Sequence, residues 1–156
     1  MELKRWLYRG GRPNRVARTL DRCTSAVYAR GIAPNYLVTL EARGRRSGRI
    51  VALPLVMATL DGERYLVSML GEKANWVRNV RAAGGNVILR HGRREVVCLE
   101  ELDPDRRAPV LKAYLNRAPG ARAHLPVHED APLARFEEVA ARFPVFRVVP
   151  RDNGGR

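Results

Sequence analysis

Apolar positions along the chain alternate between two periods, and each change of period marks an element. Val16, Leu20, Cys23 and Val27 recur at helical spacing, which predicts an amphipathic helix over 13–29 carrying Arg15, Arg18 and Arg22 on its other faces. Gly31 and Pro34 end it. A β-rich block follows: a strand over 35–41, a glycine-bracketed turn at 43–48, and a strand over 49–60 bent at Pro54. Asp61-Gly62 signals a type I′ hairpin, so 63–69 should return antiparallel. Asn75 is placed to cap a short helix ending at Gly84, and a second hairpin over 86–102 turns at His91-Gly92.

Asp103-Pro104 predicts the cap and first turn of a helix to about Arg117, with Val110, Leu111, Tyr114 and Leu115 facing the core. The stretch 118–132 holds Pro119, Gly120, Pro126 and Pro132 and reads as a long loop. Leu133, Phe136, Ala140 and Phe143 form a last helical stripe, and 145–149 a closing strand. The order is α, three strands, short α, two strands, two α, one strand. It lacks βαβ alternation, so an antiparallel α+β barrel or half-barrel is expected.

Length agrees with one domain over 1–156, comprising a basic N-terminal helix within 1–30, a barrel over 35–149 and a disordered tail at 151–156. The longest nearly unbroken apolar run, 50–60, is too short to span a bilayer, so a cytoplasmic protein is expected. Cys23 and Cys98 have no zinc or disulfide spacing and read as buried small hydrophobes.

Charge changes the picture more than length does. The chain carries 29 Lys+Arg against 16 Asp+Glu, a net +13, which points to a polyanionic partner: nucleic acid, anionic lipid, or a phosphate- and carboxylate-bearing ligand. Of the excess, residues 1–30 supply eight basic groups against Glu2 and Asp21. With Trp6 and Tyr8 as interfacial anchors, that segment is a candidate for peripheral contact with the inner face of an anionic membrane. Aromatic residues are only 6% and do not interleave with basic ones along any strand, so a nucleic-acid module is the weaker reading.

Familiar catalytic groups are sparse. Ser25, Ser47 and Ser68 stand outside GxSxG, and His91, His124 and His128 lack carboxylates at metal spacing except the adjacent Glu129 and Asp130. The segment Arg43-Gly44-Arg45-Arg46-Ser47-Gly48-Arg49 is different, because four guanidinium groups, a hydroxyl and glycine-freed amides converge between two strands. Such a turn is built as an anion cradle, the alternative being a plain basic hairpin.

At this turn the chain resembles a known family. Residues 38–49 followed by Leu53-Pro54-Leu55 resemble the TTGRKSG…R…PL signature of the deazaflavin-dependent nitroreductases and quinone reductases, and Asn75-Trp76-Val77-Arg78-Asn79 resembles their WxxN helix start. The resemblance implies an α+β split β-barrel with flanking helices that binds coenzyme F420, an 8-hydroxy-5-deazaflavin, and passes its hydride to a quinone, nitroaromatic, enone or similar acceptor. It implies that Arg45, Arg46, Ser47 and Arg49 bind phosphate and oligoglutamate tail, that Pro54, Leu55 and Met69 line the ring pocket, and that Gly71, Trp76 and Asn79 shape the ring edge or phosphate end. FMN on the same barrel is the alternative cofactor; its single phosphate would need fewer arginines. Packing alone would make Trp76, Met69 and Leu55 core residues. The chain departs from the family pattern in a shorter 70–74 segment, in Val77 where tyrosine is common, and in the 118–132 insertion, which would add a wall to the acceptor pocket.

Overall fold

The computed structural model describes residues 36–151, so the predicted N-terminal helix, its membrane contact, Cys23 and the tail beyond Arg151 lie outside the described residues. The described residues form six strands: β1 (Leu37–Arg43), β2 (Ile50–Leu60), β3 (Glu63–Val67), β4 (Asn86–His91), β5 (Arg93–Glu101) and β6 (Val145–Pro150). They close an antiparallel barrel in the order β1-β2-β3-β6-β5-β4, with β4 returning to β1 through Thr39–Arg90 and Glu41–Ile88. Among the described residues three helices flank it: α1 (Asn75–Ala82), α2 (Ala108–Arg117) and α3 (Leu133–Val139). No helix among the described residues is long and apolar enough to cross a membrane.

Strand alternation sorts the apolar residues into two cores. Val38, Leu40, Leu66, Val97 and Phe146 point into the barrel, and Trp76, Val77 and Val80 of α1 join them, so α1 plugs one barrel end. The other face of β2 and β3 meets Leu111, Tyr114 and Leu115 of α2, Phe136 of α3, and Leu125 between the helices. This second core covers one outer wall.

The predicted turns form for the predicted reason. Asp61 (φ 52°) and Gly62 (φ 78°) both adopt positive φ, as a type I′ turn requires. After α1, Gly84 and Gly85 have φ 64° and 85°, and the Gly85 amide donates to the Val80 carbonyl at 2.9 Å. A Cβ on Gly85 would lie 2.4 Å from the Leu99 carbonyl oxygen, so only glycine fits there.

Several boundaries differ from expectation. Asn75 is the first residue of α1 rather than its cap; Ala74 takes the cap position without a side-chain bond. The helix expected from Pro104 is a 3₁₀ turn over 104–106, and Asp103 makes no capping bond; α2 restarts at Ala108. Pro109 explains this, since it has no N–H to donate and is tolerated only in a first turn. β3 ends at Val67, two residues early: the Ser68 amide still donates to the Pro144 carbonyl (2.9 Å), but Pro144 has no N–H to return, and Ser68 instead turns the chain, its carbonyl accepting from the Gly71 amide (3.1 Å) and its hydroxyl donating to the Gly71 carbonyl (2.7 Å).

The last helical stripe is interrupted by a 3₁₀ turn over 140–142, and Leu133, at the helix start, is 41% exposed while Phe136, Ala140 and Phe143 are buried. Cys98 is half-buried rather than buried. A charged residue enters the interior where sequence patterning gave no sign of it. Arg107 is 3% exposed, and its guanidinium donates to the carbonyls of Leu102, Ala140 and Phe143 and to Glu101, which joins the end of β5 to the segment before β6.

Candidate functional site

The β1–β2 turn is shaped by its glycines. The Gly44 amide donates to the Arg49 carbonyl (2.7 Å) and the Gly48 amide to the Gly44 carbonyl (2.9 Å), with Gly48 at φ 70°. A Cβ on Gly44 would lie 2.6 Å from Ser47 Oγ. Ser47 Oγ accepts from the Arg49 amide at 3.2 Å, and Arg43 Nη1 donates to the Gly48 carbonyl at 3.2 Å. The result is a compact loop with Arg46, Ser47 and Arg49 exposed. Among the described residues neither Arg46 nor Arg49 forms an ion pair with a carboxylate.

The loop is joined to α1. Asn79 Oδ1 accepts from both the Arg45 amide (3.1 Å) and Arg45 Nη1 (2.9 Å), and Asn75 Oδ1 lies 3.4 Å from Arg45 Nη2. Asn75 was expected to cap the helix. Asn75 and Asn79 stand one helical turn apart and so share a face, a spacing that could have identified the pair in the sequence.

Beside this turn the barrel wall has one open side. β2 pairs with β1 from Ile50 to Val56, but β3 reaches only Met57–Leu60. Pro54 sits opposite Thr39 within the open stretch. Because Met57 is hydrogen-bonded to β1 through the Tyr36 carbonyl, alternation turns position 54 away from β1, where a missing N–H costs no ladder bond. Val51 shares a strand face with Leu53, Leu55 and Met57, and the latter three pack against the interior core. That face is half-buried at Leu53, Leu55 and Met57 and 43% exposed at Val51, whereas Leu40, Leu66 and Val97 within the barrel are fully buried. The interior thus opens toward solvent next to the arginines.

The remaining expected residues divide. Trp76 is 8% exposed in the interior core and shares it with Leu55. Met69 packs instead with the second core, and Pro54 is on the opposite face of β2 from Leu55. Gly71, at φ 80°, is buried with its α-carbon against the Arg142 carbonyl, which a Cβ would approach to 3.0 Å. The structure brings Arg45 and Asn79 into contact and places Leu55 and Trp76 in one core. Arg43 was counted in the basic turn but not among the expected coenzyme contacts, and Val51, which borders the wall, was not singled out by sequence. In the 118–132 segment, His128, Glu129 and Asp130 place one ligand-type atom each within 4.8 Å of one another. His128 Nδ1 already accepts from the Asp130 amide, and Glu129 pairs with Arg122 at 3.0 Å.

A family model described as F420H(2)-dependent quinone reductase matches residues 15–127. No curated protein matches the chain. Among solved structures, a domain-swapped dimer is 19% identical, with a TM-score of 0.54 over 85% of this chain and 92% of that one. An F420-H2 dependent reductase, FDR-A, is 19% identical at a TM-score of 0.50, covering 73% of this chain and 94% of that chain. A 5-nitroimidazole antibiotic resistance protein of Bacteroides thetaiotaomicron is 9% identical at 0.53, covering 85% and 81%. At these identities the likenesses speak for the fold, a split β-barrel.

Proposed function

The chain belongs to the F420H(2)-dependent quinone reductase family and is an F420-dependent oxidoreductase, and from that premise we propose that its arginine turn and the open wall of β2 together hold the coenzyme beside a quinone, nitroaromatic or enone acceptor. One juxtaposition carries this reading. Exposed Arg46 and Arg49 adjoin Val51, where the interior face of β2 emerges into solvent.

A ligand that joins an acidic tail to a flat ring system needs those two surfaces side by side, and the donor set fits it. Guanidinium groups bind phosphate and carboxylate in bidentate fashion, and Ser47 adds a hydroxyl. In this reading Arg46, Ser47 and Arg49 hold phosphodiester and tail, while Leu55 with Val51 and Leu53 forms the apolar wall. Trp76 backs that wall. Met69, in the second core, and Gly71, against the Arg142 carbonyl, support the site from behind. When bound, reduced F420 supplies the hydride, so the chain's residues have only to hold and screen the two reactants, and no acid–base pair is required of them.

Titration of the purified protein with F420, and separately with FMN, tests the cofactor. An assay of reduced-coenzyme oxidation with a naphthoquinone, a nitroaromatic and an enone tests the acceptor. Tight F420 binding and acceptor-dependent oxidation are expected. Tight FMN binding without F420 binding would overturn the reading.

A further inference from the structure

Resting on the coenzyme reading above, we propose that Asn79 is a positioning residue: its buried carboxamide latches the arginine turn to α1 and, through Arg45, sets where Arg46 and Arg49 meet the anion. Asn79 is 4% exposed. Its Oδ1 faces two N–H donors of one residue, the Arg45 amide at 3.1 Å and Nη1 at 2.9 Å. Two donors on one atom fix which end of the amide is oxygen, since the NH₂ end could satisfy neither.

The consequence is a division of labour within the turn. Arg45, half-buried, directs its guanidinium at Asn79 and Asn75, whereas Arg46 and Arg49, which follow it in the turn, are exposed. The bonds among Gly44, Ser47, Gly48 and Arg49 set the loop's shape. The Asn79 bonds set its place relative to α1. That helix carries Trp76 into the barrel core beside Leu55, so the latch joins the anion-binding turn to the apolar wall. A ligand held at both would register a shift of the turn in its tail contacts first.

The chemistry required at position 79 is an acceptor of this length. Aspartate supplies it, alanine does not. We expect Asn79→Ala to weaken F420 binding at least tenfold and to change binding of the deazaflavin chromophore lacking phosphate and tail less than twofold. Asn79→Asp should stay within threefold of the unaltered protein for both. Hydrogen exchange of the Arg45 amide, measured without ligand, should quicken in Asn79→Ala and remain slow in Asn79→Asp. If Asn79→Ala melts too low to titrate, Asn75→Ala takes its place, with the same selectivity for the tailed ligand at a two- to threefold loss.

Three results would overturn the proposal. Equal losses for both ligands would make Asn79 a general packing residue. Asn79→Asp as weak as Asn79→Ala, with slow Arg45 exchange, would mean that the amide NH₂ contacts the ligand directly. Unchanged Arg45 exchange in Asn79→Ala would remove the latch itself. Failure of the unaltered protein to bind F420 would sink the coenzyme reading and the affinity effect together, and the exchange measurement would still decide the latch.

Discussion

Trp76 and Phe146 meet inside the barrel with ring centroids 5.6 Å apart and planes tilted by 55°. The contact joins α1 to β6 and therefore ties the plug to the strand that closes the sheet between β3 and β5. Tilted aromatic pairs add about 0.5–1.5 kcal/mol to the area they bury. Trp76→Ala should accordingly cost about 3–5 kcal/mol in a urea titration, as large-to-small core changes do. Stability unchanged within error, with coenzyme binding lost, would make Trp76 a ring contact and not an anchor.

Arg46 and Arg49 carry the opposite expectation. Both are exposed, so replacing both with alanine should leave the melting temperature nearly unchanged. Each charge-assisted hydrogen bond is worth about 1.5–3 kcal/mol, so the double variant should lose on the order of 100-fold or more in F420 affinity. Binding by the unaltered protein should also weaken as salt is raised. An affinity insensitive to both changes would move the tail site elsewhere.

The strands and their turns were legible because their signals are local. Asp61-Gly62 demanded positive φ, and alternation along β4 and the interior part of β5 matched burial, whereas in β1 Thr39 is buried along with Val38 and Leu40. The arginine turn was legible as a cluster, and Trp76 as a core residue. What escaped depended on partners far away in sequence. Asn75 read as a cap because its guanidinium partner lies 30 residues away, and nothing local announces that Asn79 accepts from the Arg45 amide, 34 residues away. Met69 appeared to continue β3 toward the ring pocket until Ser68 turned the chain. Nothing local marks Arg107 for burial, since the carbonyls at 140 and 143 that become its partners lie more than 30 residues away.

At the barrel end opposite α1, Arg64 and Glu95 form a bidentate pair with distances of 2.8 and 2.7 Å. Alternation puts Arg64 on the face of Leu66 and Glu95 on that of Val97, both interior residues, so the pair spans the mouth. The hydrogen bond from Arg64 holds the Glu95 carboxyl below its ordinary value of 4.5, against a smaller desolvation effect. A lowered folded-state value means stability that is fully present above about pH 5 and lost as pH falls through the folded value. Both side chains are about one-third exposed, which limits the pair to roughly 1 kcal/mol. Urea midpoints between about pH 7 and pH 3 should therefore fall more steeply for the unaltered protein than for Glu95→Gln; parallel slopes would show that the pair contributes nothing.

The 118–132 segment was expected to wall the acceptor pocket, and its attachments bear on how. Ala118, Ala121 and Leu125 are each 4% exposed or less within the second core. Lys112 Nζ donates to the Ala131 carbonyl at 2.9 Å, and Arg122 pairs with Glu129 at 3.0 Å. A segment held at both ends and through its middle behaves as a fixed wall, since opening it would expose Leu125 and break the core of α2 and α3. Leu125→Ala should then cost about 2–4 kcal/mol, as a buried leucine does, where a mobile flap would lose under about 0.5 kcal/mol. Acceptor preference should respond to exposed positions of the same segment: His128→Ala should leave stability and F420 affinity unchanged while shifting relative rates among quinone, nitroaromatic and enone. A Leu125→Ala protein of unaltered stability would argue for a lid, and identical acceptor ratios in His128→Ala would place that residue outside the pocket.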